Sequence, residues 1–431
     1  MDRFKFWKEH KTKQALLVTG ARQVGKTFLI REFVQANYES FVEFNLVEDE
    51  VSRASFCKAT SAHDLMLRIS AASPIVLKPS NTAIFIDEVQ ESPEIVTFIK
   101  FLVDKGGYDF ILSGSMLGVT LENISSQPVG YVTEVVMYPL DFEEFCWASG
   151  MGDDIFAIAQ ACFLQKSPLP DYLHIRLTDL FHRYLLVGGM PDAVAAFLEF
   201  GTVDQVRIAQ DDIMAFYVRD ITQYAPKDRK LIIRSIFDLI PSELSNQNKR
   251  FRLSSIANIK KYTQVEQEFL WLTKANVALA AYNVRAPINP LLLSENHSLF
   301  KLFLSDVGLL TSRFPKGLSL GLIDGRPPKN MGGIYENFVA QELTAHGFTL
   351  RYYASRKIGE LDFVLERKAG SIIALEVKSG AGYKTHAALT NALGIKGYDI
   401  SEAMVFAETN IEIKDDVTYY PVYLISALMN E

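Results

Sequence analysis

Cysteine is scarce in this chain: Cys57, Cys146 and Cys162 are the only three in 431 residues. An odd, widely spaced trio supplies neither a disulfide framework nor a cysteine-rich zinc site, so a reducing cytoplasm is the simplest expectation. Net positive charge is also lacking, since 44 Lys and Arg against 51 Asp and Glu leave −7. No chain-wide field exists to hold nucleic acid or an anionic membrane, and any such contact must come from a local patch. Nor does any stretch approach the roughly 18 uncharged apolar residues of a membrane helix. The basic start, Arg3 to Lys13, leads into an apolar run cut by Gly20 and Arg22, too early for a signal peptide. A soluble protein without a membrane partner is expected. Sixteen prolines, 48% hydrophobic and 22% charged residues exclude a disordered or fibrous chain. The seven histidines show no metal-binding spacing.

What is there is enough for two to four domains, taking roughly 150 residues for each. Up to about residue 145, short β-type runs alternate with helical segments, the pattern of a parallel α/β sheet. The expected strands are Ala15–Thr19, Phe41–Leu46, Ala83–Ile86, Phe110–Leu112 and Val132–Met137. From Phe142 to Phe314 apolar residues recur at helical spacing, and Phe142, Phe145 and Trp147 are expected in the core. Gly317 to Gly333, with Pro327 and Pro328, reads as a linker. A helix over Ile334–His346 and strands near Glu360–Leu365 and Ile372–Lys378 follow.

The strongest motif is Gly20-Ala21-Arg22-Gln23-Val24-Gly25-Lys26-Thr27, which fits G-x-x-x-x-G-K-[ST] without a mismatch. A strand precedes it and a helix follows, so backbone N–H groups curl around phosphate oxygens at the positive end of the helix dipole. Lys26 is placed to reach the β- and γ-phosphates of ATP, and Thr27 to ligate Mg²⁺. Asp87 and Glu88 end the apolar run Ala83–Ile86. Beside a phosphate loop, Asp87 is suited to hold Mg²⁺ and Glu88 to polarise an attacking water. Ser113 and Ser115, after Phe110–Leu112, are candidates to sense the γ-phosphate.

These motifs, with Phe85-Ile86-Asp87-Glu88-Val89-Gln90 and Tyr138-Pro139-Leu140-Asp141-Phe142, resemble a prokaryotic group of AAA-type ATPases. Tyr184 to Pro191, containing Gly188-Gly189-Met190-Pro191, and Leu304-Ser305-Asp306-Val307-Gly308-Leu309-Leu310 resemble elements of the group's helical region. The resemblance implies a P-loop ATPase core over 1–150, a helical and winged-helix-like region over 151–325, and a restriction-endonuclease-like α+β domain over 331–431. It also implies an arginine finger in a homo-oligomer, but Gly130-Tyr131 stands where many relatives have Gly-Arg. Arg183 and Arg219 are substitutes by composition only, and each reads first as an ordinary surface arginine.

Between Arg219 and Lys261 ten basic residues stand against four acidic ones, a local +6 inside a chain of −7. Leu253–Ala257 followed by a helix over Thr263–Ala275 and a strand has helix-turn-helix spacing, although Glu266 and Glu268 on the second helix would repel phosphate. Both DNA-backbone contact and a solvated basic face fit this segment.

Toward the C-terminus, a hairpin turn at Ala369-Gly370 makes paired positions sum to about 739 and brings Asp362 beside Glu376 and Lys378. A carboxylate pair with an adjacent ammonium is costly to assemble without a cation or phosphate. The layout resembles the PD-(D/E)XK nuclease core. That resemblance implies Mg²⁺ on Asp362, Glu376 and Glu336, with Lys378 activating water; an exposed hairpin face of cross-strand pairs is the plain alternative. The basic residues Arg351, Arg356, Lys357, Lys368 and Lys384 favour a nucleic-acid backbone nearby. The first functional expectation is an Mg²⁺-dependent ATPase acting on DNA through the C-terminal nuclease-like domain, and the second is a nucleotide-gated switch that binds DNA or a protein without cutting.

Overall fold

Side chains of a strand alternate between faces, so a strand with no polar position must be covered on both sides. In the computed structural model, which describes residues 1–11, 13–115, 130–256, 259–323, 331–380 and 382–430, that requirement is met in the first of two compact units. This unit comprises Met1–Tyr138 with Lys274–Asn276, and the second comprises Pro139–Thr273 with Val277–Glu431. In the first, β1 (Ala15–Thr19), β2 (Ser40–Asn45), β3 (Thr82–Asp87), β4 (Asp109–Ser113) and β5 (Val132–Val136) form one parallel sheet of order β2-β3-β4-β1-β5. All five expected strands are present, each within one residue at its ends.

Leu17, Ile84, Ile86 and Leu112 face one way, against Leu65, Ile69, Ile95 and Ile99. Leu16, Val18, Phe85 and Ile111 face the other, against Trp7, Ile30, Phe33 and Val34. The register pairs Val18 with Ser113 and Ile86 with Leu112, which brings the carboxyl ends of β1, β3 and β4 to one edge of the sheet.

The second unit is helical from Phe142 to Leu244 and then mixed. Its two glycine motifs interlock. Asp306, fully buried, accepts hydrogen bonds from the Gly189 N–H at 2.6 Å and the Leu309 N–H at 2.8 Å, so it caps the helix Val307–Ser312 and anchors the Gly188-Gly189 turn at once. A Cβ at Gly189 would lie 1.8 Å from the Leu140 carbonyl oxygen, and one at Gly308 2.3 Å from that of Val187. These motifs are packing devices: only glycine admits such close backbone approach.

Several expectations are corrected here. The strand expected after the second helix is β6 (Ala278–Val284), but a second strand, β7 (Glu295–Leu304), was not expected in the mostly helical middle of the chain. With β8 (Arg351–Ser355) and β9 (Gly359–Leu361) they form a sheet of order β7-β6-β8-β9. The first half of the expected linker is the helix Lys316–Ile323, held by the Arg207 guanidinium, which donates to the Phe314 carbonyl and the Ser319 hydroxyl. Pro327 and Pro328 lie outside the described residues. The expected first helix of the helix-turn-helix is only a 3-10 turn, Leu253–Ser255, because Arg252 and Ser255 fold back onto the buried carboxylate of Glu243. Ala257, its expected last residue, lies outside the described residues. The following helix is Glu266–Lys274; on it Glu268 is buried against Arg229, not exposed. Phe142 and Phe145 are buried as expected, whereas Trp147 is 44% exposed.

A last sheet holds β10 (Phe363–Glu366), β11 (Ile372–Val377), β12 (Ile400–Ala407), β13 (Glu412–Lys414) and β14 (Val417–Pro421) in the order β10-β11-β12-β14-β13. The single strand expected over Glu360–Leu365 is two, β9 pairing with β8 and β10 with β11, and they meet at Asp362. Phe363 pairs with Leu375, one step from the expected register. Among the described residues, no helix is long and apolar enough to cross a membrane.

Candidate functional site

The loop after β1 wraps tightly because its backbone allows it. Gly20 has φ 137°, and a Cβ there would fall 2.2 Å from the Met137 carbonyl oxygen; Gln23 and Gly25 are also left-handed, at φ 65° and 89°. The helix Lys26–Asn37 starts directly after Gly25 and points its first amides into the loop. Lys26 is 6% exposed, and its ammonium donates to the Ala21 carbonyl at 2.7 Å and the Gly20 carbonyl at 3.1 Å, inside the curl a phosphate would enter.

Four of the expected residues converge beside it. The Thr27 hydroxyl donates to Asp87 Oδ2 at 2.7 Å, and the Ser113 hydroxyl and the Glu88 N–H, at 3.0 Å, donate to Asp87 Oδ1. Asp87 is 2% exposed, so its charge rests on these donors. Glu88 is left-handed at φ 55°, which turns its carboxylate back; Oε2 accepts from Gln90 Nε2, with Ser115 Oγ 3.5 Å away. Gln90 is the residue of this cluster that sequence reasoning missed. It lies in the quoted Asp-Glu-Val-Gln run, two residues past the acid, and its own Oε1 is buried with no hydrogen-bond partner among the described residues.

This set fits a nucleotide with Mg²⁺. A hydroxyl and a carboxylate in contact, Thr27 and Asp87, are the hard oxygen donors that Mg²⁺ takes, and the loop amides and Lys26 are the donors that phosphate takes. Arg183 is not poised as a finger within its own unit: it pairs with Asp179 at 3.0 Å, as an ordinary salt-bridged residue would. Arg219 is exposed, with its guanidinium 5.1 Å from the Phe216 ring.

The C-terminal carboxylates are gathered too, but around ammonium groups. Lys301, at 0% exposure on β7, lies 3.0 Å from Glu336, 2.9 Å from Glu360 and 3.7 Å from Asp362. Lys249 reaches the other oxygen of Glu336 at 2.5 Å, and Lys378 reaches Glu376 at 2.5 Å. Asp362 Oδ2 accepts from the Val377 N–H at 2.9 Å and Glu376 Oε1 from the Leu389 N–H at 3.2 Å. Burial, then the neighbouring Glu336 charge, pushes the Asp362 carboxyl up to about 7. Burial would raise Glu336 as well, but Lys301 and Lys249 hold it well below the usual carboxylate range. Among the described residues, no group of three or more His, Cys, Asp or Glu is arranged to hold a metal ion. Sequence reasoning missed Lys301, and it placed Lys249 only in the basic segment and Glu360 only in the strand before Asp362, giving neither a partner here. The signal for Lys301 was a lone charge inside the apolar run Leu299-Phe300-Lys301-Leu302-Phe303-Leu304.

Half of the basic segment is neutralised internally. Arg229 pairs with Glu268, Arg234 with Asp238, Lys249 with Glu336, Arg250 with Glu360 and Arg252 with Glu243. Arg219, Lys227, Lys260 and Lys261 are exposed. Of the C-terminal basic residues, Arg351 is buried against Glu295 and Lys384 pairs with Glu412, while Arg356, Lys357 and Lys368 are exposed.

Residues 12–146 match the model of a family described as an AAA domain, which supports an AAA-type P-loop ATPase domain at the N-terminal end. Residues 178–318 match a domain of unknown function (DUF8612), and residues 331–425 another (DUF4143). No curated protein matches. Among solved structures, the chain is similar to the Walker-type ATPase PABY2304 of Pyrococcus abyssi, at 16% identity and TM-score 0.42, over 73% of this chain and 94% of that one. It is similar also to the Aeropyrum pernix ORC1 protein in complex with DNA, at 13% identity and TM-score 0.28, over 73% of this chain and 88% of that one. A third is the Thermotoga maritima RuvB Holliday junction branch migration motor, at 13% identity and TM-score 0.27, over 64% and 84%.

Proposed function

We propose that this chain is an Mg²⁺-dependent ATPase whose nucleotide cycle serves contact with DNA. The observation that carries the reading is the meeting of Lys26, Thr27, Asp87, Glu88 and Ser113 at one edge of the sheet, with Lys26 buried in the loop. Phosphate entering the loop replaces the Gly20 and Ala21 carbonyls as the partner of the Lys26 ammonium, and the amides at the start of the helix Lys26–Asn37 cradle its oxygens. Thr27 and Asp87 are the residues that would hold Mg²⁺, which would supply neutralisation of developing charge on the phosphates. Ser113 keeps Asp87 oriented. Glu88 accepts the proton of the attacking water, a role worth roughly 10²–10⁴ in rate.

Nucleotide binding tests the loop separately from the chemistry. Lys26→Ala is expected to abolish binding of a fluorescent ATP analogue, and Glu88→Gln to bind it as wild type does. Equal binding by all three proteins would contradict the assignment.

A second reading has its own support: the chain as a nucleotide-gated switch whose C-terminal domain binds DNA or a protein and cuts nothing. Lys301, buried among Glu336, Glu360 and Asp362, favours it over the nuclease reading. A cytoplasmic location and assembly into a homo-oligomer fit either reading.

A further inference from the structure

The nuclease resemblance asks Asp362, Glu376 and Glu336 to offer oxygens to a divalent cation. Five of those six oxygens already have a protein donor at 2.5 to 3.2 Å, and the sixth, Asp362 Oδ1, faces the Lys301 ammonium at 3.7 Å. Glu336 is held by Lys249 and Lys301, Glu376 by the Leu389 N–H and Lys378, and Asp362 by the Val377 N–H on Oδ2 and by Lys301 facing Oδ1. The charges also close. Lys249, Lys301, Lys378 and Arg250 stand against Glu336, Glu360, Glu376 and Asp362, and because the Asp362 carboxyl is raised to about 7 the four cations already meet or exceed the negative charge at neutral pH. A divalent ion added beside these ammonium groups brings two uncompensated charges; to gain Glu336 and Asp362 it must displace Lys301, a fully buried ammonium, from its partners. Lys301 has nowhere wet to go: it is at 0% exposure, with its ammonium 5.2 Å from the Tyr352 ring centroid.

We propose that Lys301 is the resident cation of this cluster, its ammonium taking the place that the resemblance gives to a divalent metal. The carboxylates then form a closed ionic fastener tying β7 to the helix Gly332–Ala345 and to the β9–β10 junction. They do not form a metal centre for phosphodiester cleavage.

The test uses the full chain without nucleotide and Mn²⁺ alone as the probe, read by the electron paramagnetic resonance signal of free Mn²⁺. Wild type and Asp362→Asn are expected to give the same titration, with no site lost in the variant. A wild-type site lost in Asp362→Asn overturns the proposal, as does Mn²⁺-dependent DNA cleavage lost in Asp362→Asn. Lys301→Met adds a positive arm. It is expected to melt several degrees below wild type, because the carboxylates lose their cation, and to gain Mn²⁺ binding and regain part of that loss with Mn²⁺. A Lys301→Met protein that melts as wild type does overturns the proposal. If that variant does not fold, the comparison of wild type with Asp362→Asn decides alone. Without nucleotide, the outcome is independent of whether the phosphate loop hydrolyses ATP.

Discussion

Asp87 is gripped from two sides, by the Thr27 hydroxyl on Oδ2 and the Ser113 hydroxyl on Oδ1. Ser113 was expected as a sensor of the γ-phosphate, and its observed partner is Asp87, the carboxylate proposed to hold Mg²⁺. Its effect is therefore on the orientation of Asp87. Ser113→Ala is expected to lower kcat by about tenfold, the worth of one charge-assisted hydrogen bond, with nucleotide affinity nearly unchanged. A steady-state comparison of kcat and KM checks this, and a loss confined to KM would contradict it. At this scale the sequence is legible where a motif is contiguous. Gly20 to Thr27 and Asp87-Glu88 are read directly because their chemistry fixes their spacing. Gln90 and Lys301 are not, because what matters about them is which side chain they meet. Gln90 meets a neighbour turned back by a left-handed Glu88, and Lys301 meets residues 35 to 61 positions away.

Elements rather than residues explain the two glycine motifs. Gly188-Gly189 and Asp306-Val307-Gly308 look in sequence like markers of a functional group, and in space they are one joint, closed by the Asp306 carboxylate. Burial raises that carboxyl from 3.8 to about 6, so the fold favours its neutral form. The resulting stability is fully present below pH 3.8 and is lost as pH rises through about 6. Between pH 5 and pH 7.5, the unfolding free energy of the second unit is expected to fall by about 1.4 kcal/mol more in wild type than in Asp306→Asn, about one pKa unit of linkage. Urea unfolding of both proteins at the two pH values measures it; parallel pH profiles would contradict the account. Strands were legible to within one residue in the first unit because a sheet covered on both faces writes itself as apolar runs. The turn at Leu253–Ser255 was not, because its shape is set by the distant Glu243 carboxylate rather than by its own spacing.

For the whole molecule, a net charge of −7 and a local +6 were visible from the start. Invisible was how much of that +6 is spent internally, with five of the ten basic residues paired to carboxylates, two of them to acids far along the chain in Glu336 and Glu360. The exposed remainder, Arg219, Lys227, Lys260 and Lys261, is what this segment has to offer a phosphate backbone. If it contacts DNA, replacing all four by alanine is expected to flatten the slope of log affinity against log salt by about 3 to 4. Fluorescence anisotropy across a salt series reads the slope directly, and an unchanged slope with retained binding would move the contact elsewhere.

The central claim is ATP hydrolysis at the edge of the parallel sheet, and steady-state phosphate release with Mg²⁺ tests it most directly. Wild type is expected to turn over, Lys26→Ala to be silent, and Glu88→Gln to fall by at least about 10²-fold while still binding ATP. Equal rates in the three proteins, or release by Glu88→Gln at the wild-type rate, would contradict the account.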